Sequence, residues 1–166
     1  VANVNDAPTG SVTIDDTTPT QGQTLTAANT LADVDGLGAI SYQWQRGGVN
    51  IAGATAAAYT VTQADVGQLL RVVANYTDGQ GTAESVASAD TAAVVNVNDA
   101  PTGAPVVTGT PTEDQTLSAD TGTIADADGL GAFSYQWQRN GSNIAGAIAS
   151  TYTLGDADVG TNIRVV

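Results

Sequence analysis

The sequence contains no cysteine, no histidine, no methionine and no lysine. Without Cys there is neither a disulfide nor a thiolate nucleophile, and without His there is no imidazole base. Soft metal ligands are missing altogether, so any metal taken up here is hard and bound through oxygen. Four Arg stand against 17 Asp plus Glu, a formal charge of −13. A chain so poor in cationic side chains has no patch to hold nucleic acid and no polybasic segment for an anionic membrane surface. Cations are its electrostatic complement. No apolar run approaches the roughly 20 residues of a membrane helix, and no secretory signal is visible. The chain is therefore expected to be an internal segment whose export signal and anchor, if any, lie elsewhere.

Against these absences stands a folded composition: 42% of residues are hydrophobic, and they alternate in short runs rather than clustering with a helical period. The dominant feature is a repeat of 93 residues. Val4-Asn5-Asp6-Ala7-Pro8-Thr9-Gly10 returns at Val97 to Gly103, and Asp35-Gly36-Leu37-Gly38-Ala39 at Asp128 to Ala132. Tyr42-Gln43-Trp44-Gln45-Arg46 returns at Tyr135 to Arg139, and Ala64-Asp65-Val66-Gly67 at Ala157 to Gly160. A one-residue slip after Pro8 and Pro101, later restored, is the expected break in register. The organisation read from this is a tail strand plus linker over 1–7, a first module over 8–96, a linker over 97–100, and a second module over 101–166. Val166 aligns with Val73, so the second module is read as lacking its final strand. Val1 to Val4 matches that strand and is expected to be its donor from a neighbouring chain.

Within one repeat, Leu25 and Ala27 share a face, as do Ile40, Tyr42 and Trp44, and then Leu70, Val72, Ala74 and Tyr76. Gly47-Gly48 and Asn140-Gly141 both suit a tight hairpin. The fold class is all-β. A Trp on the third strand followed by an Asp-x-Gly turn into an apolar strand resembles the immunoglobulin fold. More closely, the Val-Asn-Asp-Ala-Pro linker with Tyr-Gln-Trp and Ala-Asp-Val-Gly segments resembles the Ig-like tandem repeats of large bacterial surface adhesins and type I-secreted (RTX-type) proteins. That resemblance implies Greek-key β-sandwiches without a disulfide, an extracellular location and an adhesive or spacing role. The Asn-Asp-Ala-Pro linker also resembles the calcium-binding linkers of cadherins.

The acidic residues that recur, together with one loop acid, define the candidate site. In an Ig-like sandwich, Asp6, Asp33, Asp35 and Asp78 converge at one pole of the first module, and Asn98, Asp99, Asp126 and Asp128 at the start of the second. Carboxylates gathered without Lys or Arg repel one another unless a cation neutralises them, and Ca2+ accepts six to eight oxygens from flexible loops. Ca2+ is the expected ligand, stiffening the junction between neighbouring modules. The competing reading is that Asp-x-Asp-Gly forms Asx-turns and keeps the surface soluble. Asp65 and Asp158 are read as turn-forming residues, and Arg46, Arg71, Arg139 and Arg164 as solvated or weakly paired.

No enzyme is expected, because general acid–base and nucleophilic chemistry lack their usual residues. A carbohydrate- or ligand-binding module is the alternative, but all eight aromatics, Tyr42, Trp44, Tyr59, Tyr76, Phe133, Tyr135, Trp137 and Tyr152, fall at expected core-facing positions and leave no platform for a sugar. A structural spacer, with neighbouring modules of its own chain and a surface or glycan target as partners, accounts for the repeat.

Overall fold

The computed structural model describes residues 4–166; of the expected donor strand, Val1, Ala2 and Asn3 lie outside this range. The chain divides into two compact units, Val1–Val97 and Asn98–Val166. Both are all-β, with antiparallel pairing between their named strands, and the described residues contain no α-helix and hence no helix long and apolar enough to cross a membrane.

In unit 1 the strands are β1 (Val12–Ile14), β2 (Thr24–Asn29), β3 (Ser41–Arg46), β4 (Val49–Asn50), β5 (Ala58–Thr60), β6 (Leu70–Thr77) and β7 (Ala83–Ala87). They form one sheet of order β1-β2-β5 and another of order β4-β3-β6-β7. The period-two alternation sets their faces: along β6, Leu70, Val72, Ala74 and Tyr76 are buried while the residues between them are not. The inward faces of both sheets share one core, in which Val12, Ile14, Leu25 and Ala27 meet Trp44, Leu70, Val72 and Ala74. Removing each large side chain from water contributes roughly 1.5–3 kcal/mol. Trp44 is wholly buried, stacks on Tyr59 with ring centroids 5.5 Å apart, and donates its indole N–H to the Ala56 carbonyl at 3.0 Å. That bond answers the one polar atom a buried indole carries.

The β3–β4 hairpin turns through Gly47 (φ 52°) and Gly48 (φ 82°), and its counterpart in unit 2 through Asn140 (φ 46°) and Gly141 (φ 84°). Two different pairs meet the same demand for left-handed backbone. At the far end of unit 1, Val94 and Val95 make parallel bridges to Val66 and Thr20. Val94 is buried there as part of the core.

Unit 2 contains β8 (Val106–Thr108), β9 (Thr116–Asp120), β10 (Trp137–Arg139), β11 (Ser142–Asn143), β12 (Thr151–Thr153) and β13 (Ile163–Val165). Its sheets, β8-β9-β12 and β11-β10-β13, repeat the order of unit 1 without a counterpart of β7. The pairing register shows a single slip: Ile14 opposite Ala27 corresponds to Val107 opposite Ala119, so β8 stands 93 positions after β1 and β9 stands 92 after β2, and the stretch between them is one residue shorter in unit 2. Trp137 is buried and stacks on Tyr152 at 5.7 Å, with its N–H on the Ala149 carbonyl at 2.9 Å. Phe133 departs from expectation: it is 41% exposed, whereas Ile40, its counterpart, packs against the core of unit 1. Ile40 lies beside Ser41 and Tyr42, which pair with Asn75 and Ala74. Beside Phe133, the register of unit 2 stops at Trp137 opposite Val165.

Candidate functional site

The site is built by close approach of two loops of unit 1, the one joining β2 to β3 and the one joining β6 to β7. A Cβ at Gly38 would overlap the Thr77 carbonyl oxygen, and one at Gly79 would meet the Asp35 carbonyl oxygen at 2.5 Å. Only glycine lets the backbones come this near. The contact is sealed by the Gly79 N–H, which reaches the carbonyls of Asp35 at 3.1 Å and Gly36 at 3.0 Å. In consequence Asp33 on the first loop is brought beside Asp78 on the second.

Glu84 completes the group. It sits on β7 opposite Tyr76 in the antiparallel register, and one carboxylate oxygen each from Asp33, Asp78 and Glu84 lie within 4.8 Å of one another. Sequence reasoning named Asp33, which recurs, and Asp78, which falls in the expected loop, but not Glu84, which neither recurs in residues 98–166 nor lies in that loop. The available signal was the hairpin register, which sets residue 84 across from residue 76 once the turn at Asp78-Gly79 is recognised.

Each carboxylate is held in place. The Tyr76 hydroxyl donates to Asp33 Oδ2 at 2.6 Å, and the Asp35 N–H donates to Asp33 Oδ1 at 2.9 Å. Asp78 is only 6% exposed; its Oδ1 takes the N–H groups of Gln80 at 2.9 Å and Thr82 at 2.7 Å, while Oδ2 is buried with no hydrogen-bond partner. The Asn5 amide donates to Glu84 Oε1 at 2.8 Å. Burial and the Asp33 carboxylate push the Tyr76 phenol well above its usual range, so it stays a donor. The ion pairs among the described residues, Arg46–Asp65 and Arg139–Asp158, do not involve these three acids. Two like charges about 4 Å apart repel by about 4 kcal/mol at an effective dielectric near 20. An oxygen-only, anionic, loop-borne cluster of this kind suits a hard divalent cation.

The other candidate residues are placed differently. Asp6 is exposed, and its backbone N–H donates to Asp35 Oδ2 at 2.7 Å, so these two residues join the linker to the loop. Unit 2 repeats the arrangement: the Asp99 N–H donates to Asp128 Oδ2 at 2.7 Å and the Asp128 N–H to Asp126 Oδ1 at 2.9 Å. Asn98 donates its amide to the Asp99 carbonyl at 2.9 Å. The Asx-type bond within Asp-x-Asp is thus present in both units. In unit 2 the acids of this loop meet no counterpart of Asp78 or Glu84 within the 166 residues.

A second carboxylate site adds to an expectation. Asp65 does close a turn, its N–H donating to the Thr62 carbonyl at 3.0 Å, but its side chain is wholly buried. Its Oδ1 takes the Arg46 Nε–H at 2.6 Å, and its Oδ2 takes the Tyr59 hydroxyl at 2.8 Å and the Thr62 N–H at 2.7 Å and hydroxyl at 2.8 Å. Asp158 repeats this with Arg139 at 2.7 Å, Tyr152 at 2.8 Å and the Gly155 N–H at 2.9 Å. Burial alone would push the Asp65 carboxyl up, but the Thr62 N–H, the Tyr59 hydroxyl and Arg46 together outweigh it and hold the group below its usual value. With both oxygens held by donors of its own unit, this carboxylate is structural.

No protein-family model and no curated protein sequence matches the chain.

Proposed function

We propose that the chain is a structural spacer: tandem immunoglobulin-like β-sandwich repeats of an extracellular bacterial adhesin or surface protein, with Ca2+ stiffening the junctions between neighbouring modules. The observation that carries this reading is what the two units share. The strand order, the Trp–Tyr stack, and the Arg–Asp–Tyr network recur at a 93-residue period, and all of these maintain a scaffold. Repetition conserves distance and shape, which is what a stalk requires.

The acidic surface supports the same reading. A chain of charge −13 repels itself at low ionic strength, and a divalent cation at the pole next to each linker both lowers that repulsion and restricts the linker. Folding without disulfides suits a protein exported in extended form and made rigid by metal outside the cell.

Small-angle scattering on the 166-residue protein in chelator-treated buffer, with and without millimolar CaCl2, tests the proposal. The expected result is a distance distribution that narrows when Ca2+ is added. An unchanged profile, together with a melting temperature indifferent to Ca2+, would exclude a cation-stiffened spacer.

A further inference from the structure

We infer that Asp33, Asp78 and Glu84 form a single Ca2+ centre inside unit 1, and that its occupancy orders the Asn5–Asp6 segment; this rests on the proposed uptake of Ca2+ at the acidic pole and assigns its ligands and its readout. Two independent observations meet at the same place. Three carboxylate oxygens from three different segments lie within 4.8 Å of one another. Asp78, 6% exposed, keeps a buried Oδ2 that no donor satisfies. Buried carboxylate oxygens are nearly always partnered, and one left over beside two more carboxylates calls for a positive charge.

The dimensions favour Ca2+. Oxygens at 2.3–2.6 Å from an ion lie up to about 4.6–5.2 Å apart across its sphere, so Ca2+ reaches all three with little movement of the loops. Mg2+, with its shorter bonds of about 2.0–2.1 Å and its retained waters, would have to draw them closer together. The remaining coordination positions fall to water, since the site opens to solvent at the half-exposed Asp33 and Glu84.

Two bond paths lead from the centre to the linker. Glu84 Oε1 holds the Asn5 amide at 2.8 Å. Asp33 holds the Asp35 N–H, and Asp35 in turn holds the Asp6 N–H at 2.7 Å. Fixing the two acids therefore fixes the acceptors on which residues 5 and 6 hang. The ion acts on the linker through positioned second-layer bonds, as metal-bound groups generally orient what lies behind them.

The test is calorimetric titration of CaCl2 into the chelator-treated full chain, paired with hydrogen exchange of the Asp6 amide, for the wild type, Glu84→Gln, Asp78→Asn and Asp35→Ala. Tryptophan emission checks folding of each variant. The wild type is expected to bind with a dissociation constant of about 0.1–1 mM, and Glu84→Gln and Asp78→Asn to weaken binding by about tenfold or more. Asp35→Ala, which removes the oxygen that accepts the Asp6 N–H, is expected to retain binding but to lose the slowing of Asp6 exchange. Wild-type binding that survives both Glu84→Gln and Asp78→Asn would overturn this ligand assignment while leaving Ca2+ uptake at the pole intact. A wild type that takes up no Ca2+ would overturn both. Tighter binding of MgCl2 than CaCl2 would overturn the identity of the ion.

Discussion

Asp65 carries more of the first unit than its place in a turn suggests. Replacing it with Ala leaves the Tyr59 hydroxyl and the Thr62 N–H without an acceptor; Arg46, whose side chain is 30% exposed, can return to water. The expected loss is about 3 kcal/mol, read from the urea midpoint. Asp158→Ala acts in the same direction on unit 2 but more weakly, because Gly155 offers no hydroxyl where Thr62 does. The same carboxylates set the response to acid. Their folded-state pKa lies below the unfolded value of about 3.9, so the stabilisation is complete above that value and drains away as pH falls through the depressed one. Unfolding followed from pH 6 to pH 2 should therefore show the wild type losing stability below about pH 4 more steeply than Asp65→Ala. At this scale the sequence was half legible. The recurrence of Asp65 and Asp158 was plain, but an Asp before a glycine-ending turn has a sufficient local explanation. The missed signal was that Arg46 and Arg139 recur at the same 19-residue distance from them; two charges kept at constant separation across a sheet point to a pair.

Among the elements, the loops at the acidic pole depend on glycine more than on acid. Gly38→Ala places a methyl group against the Thr77 carbonyl, and the β2–β3 loop must withdraw from the β6–β7 turn. That withdrawal separates Asp33 from Asp78 and breaks the bonds from the Gly79 N–H to the carbonyls of Asp35 and Gly36. A loss of about 2 kcal/mol in stability is expected, an overpacking effect, accompanied by loss of Ca2+ binding; Gly131→Ala, whose added Cβ would meet nothing within 4 Å, serves as the neutral control. Unchanged stability and binding in Gly38→Ala would show that the close approach does not hold the site. Strands and hairpin turns were readable because period-two alternation and left-handed turn residues are local properties. The meeting of the two loops was not, since it depends on backbone separation. Glu84 was hidden for a related reason: its neighbours in sequence, Ala83 and Ser85, belong to an edge strand with no charge pattern, and only its pairing with Tyr76 delivers it to the cluster.

For the whole molecule, the two units are expected to unfold in separate steps. Among the described residues, unit 1 buries twelve apolar side chains in one core and unit 2 four, and at roughly 1.5–3 kcal/mol per large side chain that difference outweighs their shared architecture. The hydrogen-bonded register points the same way, with six pairs between β3 and β6 against three between β10 and β13. Each unit carries one fully buried tryptophan, so Trp137→Phe leaves Trp44 to report on an unaltered unit 1, and Trp44→Phe leaves Trp137 to report on an unaltered unit 2. In urea, the emission of Trp137 should shift at a lower midpoint than that of Trp44. Adding Ca2+ at about ten times the dissociation constant of the Asp33–Asp78–Glu84 centre stabilises unit 1 by roughly 1.4 kcal/mol and widens the gap by moving the Trp44 midpoint further than that of Trp137, whose unit has no counterpart of Asp78 or Glu84. Coincident midpoints in the two variants would mean that the chain unfolds as one body, and an equal shift of both by Ca2+ would mean that Asp33, Asp78 and Glu84 are not the principal centre.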